Sequence, residues 1–216
     1  MRKLLAIWLG KILTIVGKTV GKKSSSSPGA YALKICPDLV KGLEKCVSKG
    51  IIVTCGTNGK TTTNNLMASA LEAKGYKVIC NKLGANMLSG IATTVLQEMS
   101  IFGKLKADYA CLEIDEAYTP IVFDYVKPNV MVITNLFRDQ LDRYGEIDIT
   151  SDIIKRAIKK VPNLKLVLNG DDPLCVQFGR EENVKAYYYG ISEKVLPQLD
   201  DTKEGRFCPV CGEEQK

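Results

Sequence analysis

The 216-residue chain is predicted to be an α/β protein with a mostly parallel sheet and flanking helices. Three observations support this. Apolar residues make up 45% of the chain, enough for a sizeable core. From residue 51 onward, short β-branched runs alternate with amphipathic stretches of helical period. The first run, Ile51-Ile52-Val53-Thr54-Cys55, ends in a glycine-bounded turn and then a helix-forming stretch. In open parallel sheets ligands bind at such strand ends.

Residues 1–23, MRKLLAIWLGKILTIVGKTVGKK, carry Arg2, Lys3, Lys11, Lys18, Lys22 and Lys23 and no acid. Lys and Arg number 30 against 24 Asp and Glu, so this segment holds the whole excess of +6. A chain that is neutral elsewhere has no basic face for nucleic acid. Lys11 and Lys18 interrupt the apolar residues, which argues against a signal peptide and a bilayer-spanning helix. On a helix, Lys3, Lys11, Lys18 and Lys22 fall near one face, and Leu5, Trp8, Leu9, Ile12 and Val16 on the other. Such a helix either lies on an anionic membrane surface, the inner face for a cytoplasmic protein, or packs its apolar face on the protein's own body. Ser24 to Gly29 read as a linker, so a first unit spans residues 1–29.

The pattern then predicts a strand at Ile51–Cys55 and a helix from Lys60 to Lys74, with Leu66, Met67, Ala70 and Leu71 as its apolar stripe and Gly75 as its stop. A short strand follows at Val78–Cys80, a helix at Leu88–Glu98, and strands at Asp108–Ile114 and Val130–Thr134. An amphipathic helix at Ile147–Lys160 is ended by Pro162. Leu164–Leu168 and Val184–Tyr189 complete the strands.

The turn Gly56-Thr57-Asn58-Gly59, running into Lys60, Thr61 and Thr62, has the build of a phosphate-cradling loop. Glycines let backbone N–H groups approach phosphate oxygens, and the helix presents its positive N-terminus to the anion. Lys60 would reach the outer phosphates and Thr61 would hold Mg²⁺. Thr54 stands where the common nucleotide loop has its first glycine. A second Mg²⁺ ligand is expected from a neighbouring strand end. Glu113 is the first choice, with Asp115 and Glu116 as alternates. Two more polar strand ends lie at the same edge: Asn135 to Glu146, whose Asn135 joins the nucleotide-binding set, and Asn169-Gly170-Asp171-Asp172-Pro173. Histidine is absent, which excludes a His general base, triad or metal ligand.

Cysteines divide in two. Cys36, Cys46, Cys55, Cys80, Cys111 and Cys175 are scattered, mostly in apolar segments, and read as small buried hydrophobes of a reducing compartment. Cys208-Pro209-Val210-Cys211-Gly212 is half of a zinc ribbon. The other pair of a Zn²⁺ site should follow some way downstream, but the chain runs only five residues past Cys211.

Together these residues resemble the Mur ligase family. The likeness rests on GTNGKTT at 56–62, the Glu113 strand end, TNLFRDQLDRYGE at 134–146 and LNGDDP at 168–173. It implies a central ATP-binding domain over residues 30–203 and an enzyme that forms an acyl-phosphate from a carboxylate and ATP, then admits an amine. Within the family the chain is most similar to the MurT branch, the ligase-like subunits of lipid II isoglutaminyl synthase. ALKICPDLV at 32–40, NKLGANMLSG at 81–90 and the Cys-x-x-Cys insert at 204–216 carry that likeness. Gln140 stands where most of the family has a His assigned to a second metal. Lys155 lies where relatives can carry a carbamylated lysine, a role that an exposed helix lysine does not need.

The branch implies activation of the D-Glu α-carboxylate of the lipid II stem peptide. A GatD-like glutaminase partner would supply the ammonia in a heterodimer. It also implies a further C-terminal part, so the sequence is expected to be a truncated product that binds Mg·ATP and does not amidate alone. Two other classes stay open: another Mur-type ligase of the folylpolyglutamate or cyanophycin synthetase kind, and a non-catalytic ATP-binding module.

Overall fold

The computed structural model describes residues 1–19, 26–82, 85–136, 146–181 and 184–191. In chain order these form α1 (Arg2–Thr19), α2 (Ser27–Ile35), β1 (Val47–Cys55), α3 (Lys60–Ala73), β2 (Val78–Cys80), α4 (Leu88–Glu98), β3 (Ala107–Glu113), α5 (Thr119–Tyr125), β4 (Val130–Ile133), α6 (Glu146–Lys159), β5 (Lys165–Asn169), α7 (Pro173–Val176) and β6 (Lys185–Tyr189). The six strands make one sheet in the order β2-β3-β1-β4-β5-β6. Every neighbouring pair is parallel. The predicted α/β class with a parallel sheet is what the chain adopts.

Register decides which residues meet. β1 lies between β3 and β4, with Thr54 opposite Glu113 and Cys55 opposite Ile133. The carboxyl ends of three strands therefore converge on the turn after Cys55. Parallel strands with helices on the sheet are apolar on both faces. Accordingly one face buries Ile51, Val53, Ala110, Leu112, Met131, Ile133, Leu166 and Leu168, and the other buries Cys111 and Val132.

Three expectations are corrected. Ser26–Gly29 are not linker: Ser26 is the N-cap of α2, and Pro28 and Gly29 are buried in its first turn. The remaining linker residues lie outside those described. Pro at the first helical turn is a start signal that the serine-rich run masked. Gly29 is required there, since a Cβ would stand 2.0 Å from the Ser89 carbonyl of α4. A boundary between residues 29 and 30 thus falls inside a helix.

The apolar stripe expected on α3 is also wrong. Its buried residues are Asn64 and Ala68, while Leu66 is exposed. Asn64 Nδ2 donates to Asn81 Oδ1 (3.3 Å) and the Cys111 carbonyl (3.4 Å), so a polar residue docks the helix on the sheet. Hydrogen bonding overrode the hydrophobic period at this position.

The third correction concerns α1. It does pack on the body, against α2 and α4, but not through its predicted apolar face. Ala6, Ile7, Gly10 and Thr14 are buried, while Leu5, Trp8, Ile12 and Val16 stay exposed. A Cβ on Gly10 would come within 2.6 Å of Leu96 Cδ1, so the small residues set how closely the helices approach. No described helix is long and apolar enough to cross a membrane.

Cys55, Cys111 and Cys175 are buried, Cys36, Cys46 and Cys80 half-buried, and all six are free thiols. Burial pushes Cys80 up to about 11 and Cys111 up to about 12, so neither is a thiolate at neutral pH. Cys208, Cys211 and the proposed zinc half-site lie outside the described residues. Among the described residues no cluster of three His, Cys, Asp or Glu could hold a metal ion.

Candidate functional site

β1 delivers the chain to the turn at residues 56–59, and α3 starts immediately after it. Gly59 caps α3 in the left-handed region (φ 77°) with no atom within 4 Å of where a Cβ would sit. The helix has no side-chain cap and no acid in its first turn. Its first N–H groups therefore point outward unneutralised, the condition for binding an anion. Thr61 and Thr62 stand exposed on that turn. Gly56 is needed for a different reason: at φ 129° it approaches β4 so closely that a Cβ would lie 2.2 Å from Thr134 Oγ1.

The end of β4 grips the loop. Asn135 Oδ1 accepts from Asn58 N (2.9 Å) and Asn135 Nδ2 donates to the Asn58 carbonyl (3.0 Å). Thr134 Oγ1 donates to the same carbonyl (2.7 Å), and Thr57 N donates to the Asn135 carbonyl (2.8 Å). Behind them Asp172 Oδ2 accepts from Leu136 N (2.8 Å), while Asp172 Oδ1 caps α7 at Leu174 N. Asn135, expected beside the nucleotide, thus commits its amide to the backbone of Asn58. The two polar strand ends at 135 and 169–173 are joined as parts of one clamp.

The β3 side is different. Lys60 Nζ donates to the carbonyls of Gly56 and Thr57 and lies 3.2 Å from Glu116 Oε1. The same Glu116 oxygen accepts from Gly56 N (2.8 Å). A carboxylate oxygen therefore occupies the anion position of the loop, touching a backbone amide and the lysine together. Burial raises the Glu116 carboxyl above its ordinary range, and Lys60 opposes that rise.

Glu113 is 2% exposed. Its backbone is held by Asn81, which accepts from Glu113 N and donates to its carbonyl, both at 2.8 Å. Its Oε2 is buried with no partner, as is the adjacent Thr54 Oγ1. An orphaned carboxylate oxygen at a strand end, with hydroxyls and a second carboxylate on neighbouring elements, is the donor set of a hard divalent cation.

Asp115 caps the turn after β3, accepting from Ala117 N (3.0 Å). That turn carries Glu116 back to the loop. The sequence ranked Glu116 behind Glu113; the Asp-capped turn at 115–117 was the signal that could have raised it. Lys155 pairs with Glu181 at 3.8 Å on α6. Gln140 lies outside the described residues.

Several known proteins resemble this chain. Residues 53–209 match the Mur ligase middle domain. Over 98% of its length the chain is 37% identical to the lipid II isoglutaminyl synthase (glutamine-hydrolyzing) subunit MurT of Staphylococcus aureus (strain COL), covering 47% of that protein. Over 88% of its length it is 39% identical to the same subunit of Streptococcus pneumoniae (strain ATCC BAA-255 / R6), covering 41% of it. The chain thus spans under half the length of these relatives. A pseudomurein peptide ligase type C from Methanothermus fervidus superposes with a TM-score of 0.59 at 28% identity, over 79% of this chain and 33% of that one. MurF ligase from Thermotoga maritima, solved in complex with ADP, gives a TM-score of 0.59 over 74% of this chain and 36% of that one. At 20% identity it speaks for the fold alone.

Proposed function

The chain belongs to the Mur ligase family, whose middle domain it carries, and we propose that it is the ATP-binding part of a MurT-like ligase subunit. The reaction is amidation of lipid II. The γ-phosphoryl group of ATP passes to the α-carboxylate of D-Glu in the stem peptide, releasing ADP. Ammonia from a GatD-like glutaminase partner then attacks the acyl-phosphate, expelling phosphate and leaving D-isoglutamine. The substrate's lipid anchor places the reaction at the cytoplasmic face of the membrane.

One observation carries this reading: an anion cradle at Gly56–Lys60, already filled by a carboxylate oxygen of Glu116. A phosphate oxygen would make the same contacts. In this reading Lys60 leaves Glu116 for the outer phosphates. The amides of residues 56–59 and the start of α3 hold the remaining oxygens. Thr134 and Asn135 keep the loop in shape while Lys60 changes partner. Thr61 and Glu113 would hold Mg²⁺, with Glu116 close by. Bound there, the cation would neutralise charge on the transferring phosphoryl group.

The test is a lipid II amidation assay with the ligase subunit as its cell of origin produces it. A glutaminase subunit, glutamine and Mg·ATP complete the mixture, and the stem peptide is read by mass spectrometry. The expected result is carboxamide formation that disappears in Lys60→Ala. Amidation undiminished by that substitution, or none with the unaltered protein, would contradict the reading.

A further inference from the structure

From Leu5 to Val16 the face of α1 turned away from the body is apolar. Leu5, Trp8, Ile12, Ile15 and Val16 recur at three- and four-residue spacing and are each about half exposed or more. The turn after α4 extends the patch. Trp8 Nε1 donates to the Ile101 carbonyl (2.9 Å), and a Cβ on Gly103 would stand 3.1 Å from Ile7 Cδ1. This holds Ile101 and Phe102, 56% and 73% exposed, beside the helix. The helix is already anchored by its opposite face, through Ala6, Ile7, Gly10 and Thr14. Folding therefore does not require the outward stripe.

Among the described residues the charge around the patch is predominantly positive. Arg2, Lys3 and Lys11 lie on α1, and Lys104 and Lys106 follow the Phe102 turn as exposed residues, against the exposed Glu98 at the end of α4. An apolar stripe with a basic surround, containing a half-exposed Trp, complements the headgroup region of an anionic bilayer. A protein partner of ordinary composition would not need the positive excess.

We propose that α1 and the Ile101–Phe102 turn form a docking surface for anionic phospholipid bilayers, with α1 lying in the membrane plane. This deepens the proposed function, since a lipid-linked substrate is met at a bilayer, but it rests on the exposed face alone. Loss of membrane binding would leave nucleotide binding intact, so the two readings fail separately.

Trp8 is the only tryptophan in the chain and reports on the patch directly. The experiment mixes the protein with vesicles of equimolar phosphatidylcholine and phosphatidylglycerol, or of phosphatidylcholine alone, and follows Trp8 emission and vesicle flotation. The expected result is a blue shift and flotation with the anionic vesicles only, weakened by high salt. An Ile12→Glu/Phe102→Glu variant alters two exposed positions, so its thermal melt should match wild type. Its vesicle affinity should fall at least about tenfold.

The proposal is overturned if wild type ignores anionic vesicles, or if a correctly folded variant binds them as well as wild type does. Emission already blue-shifted in buffer, together with a concentration-dependent dimer, would also overturn it. Those results would assign the face to a second copy of the chain.

Discussion

β3 and β4 flank the same strand and reach the same loop, yet they treat it in opposite ways. On the β4 side, Thr134 and Asn135 bond the loop backbone directly, and Asp172 bonds the segment behind them. On the β3 side, Glu113 ends in a buried oxygen without a partner, and Glu116 sits in the cradle itself. The difference separates scaffold from exchangeable chemistry. Groups that hold shape are saturated by the protein. Groups that await a ligand are orphaned, or paired in a way an incoming phosphate can replace.

Substitutions should sort by side. The largest effect on stability is expected from Gly56→Ala, where a Cβ would meet Thr134 Oγ1 at a positive φ. It should cost about 3 kcal/mol in urea unfolding. A loss under about 1 kcal/mol would show that the β4 contact is loose.

Asn135→Ala comes next. It removes two hydrogen bonds to Asn58 and should cost about 2 kcal/mol, at roughly 1 kcal/mol each. ATP affinity should fall with it, while the dependence of binding on Mg²⁺ stays as in wild type. A changed Mg²⁺ dependence would move Asn135 from the scaffold to the exchangeable side.

Glu116→Gln is the smallest and depends on pH. Burial raises the folded-state pKa of Glu116, so the folded chain holds this proton more tightly than the unfolded one. The resulting stability is full below the unfolded carboxylate range and lost as pH rises through the folded value. Glutamine does not ionise. Thermal melts should therefore show the variant gaining on wild type from acid to neutral pH; a variant that loses ground to wild type over that range would contradict the sign.

The same contrast explains what the sequence disclosed. Strands and the cradle are local patterns, and the six strands and the helix start at Lys60 lie where hydrophobic period and turn chemistry predict. What escaped depends on tertiary partners. Asn64, not Leu66, docks α3 because its amide finds Asn81 and the Cys111 carbonyl across the sheet. Small residues of α1 face inward because α2 and α4 are close, a distance no helical wheel contains. The dual use of Glu116 needs the turn at 115–117 to fold back.

The central claim is that the Gly56–Lys60 turn exchanges an internal carboxylate for phosphate. Isothermal titration of the chain with Mg·ATP, wild type against Lys60→Ala, tests it most directly. The account predicts measurable binding by wild type and a loss of about 2 kcal/mol, roughly thirtyfold in Kd, in the variant. Equal affinities for the two proteins would contradict it.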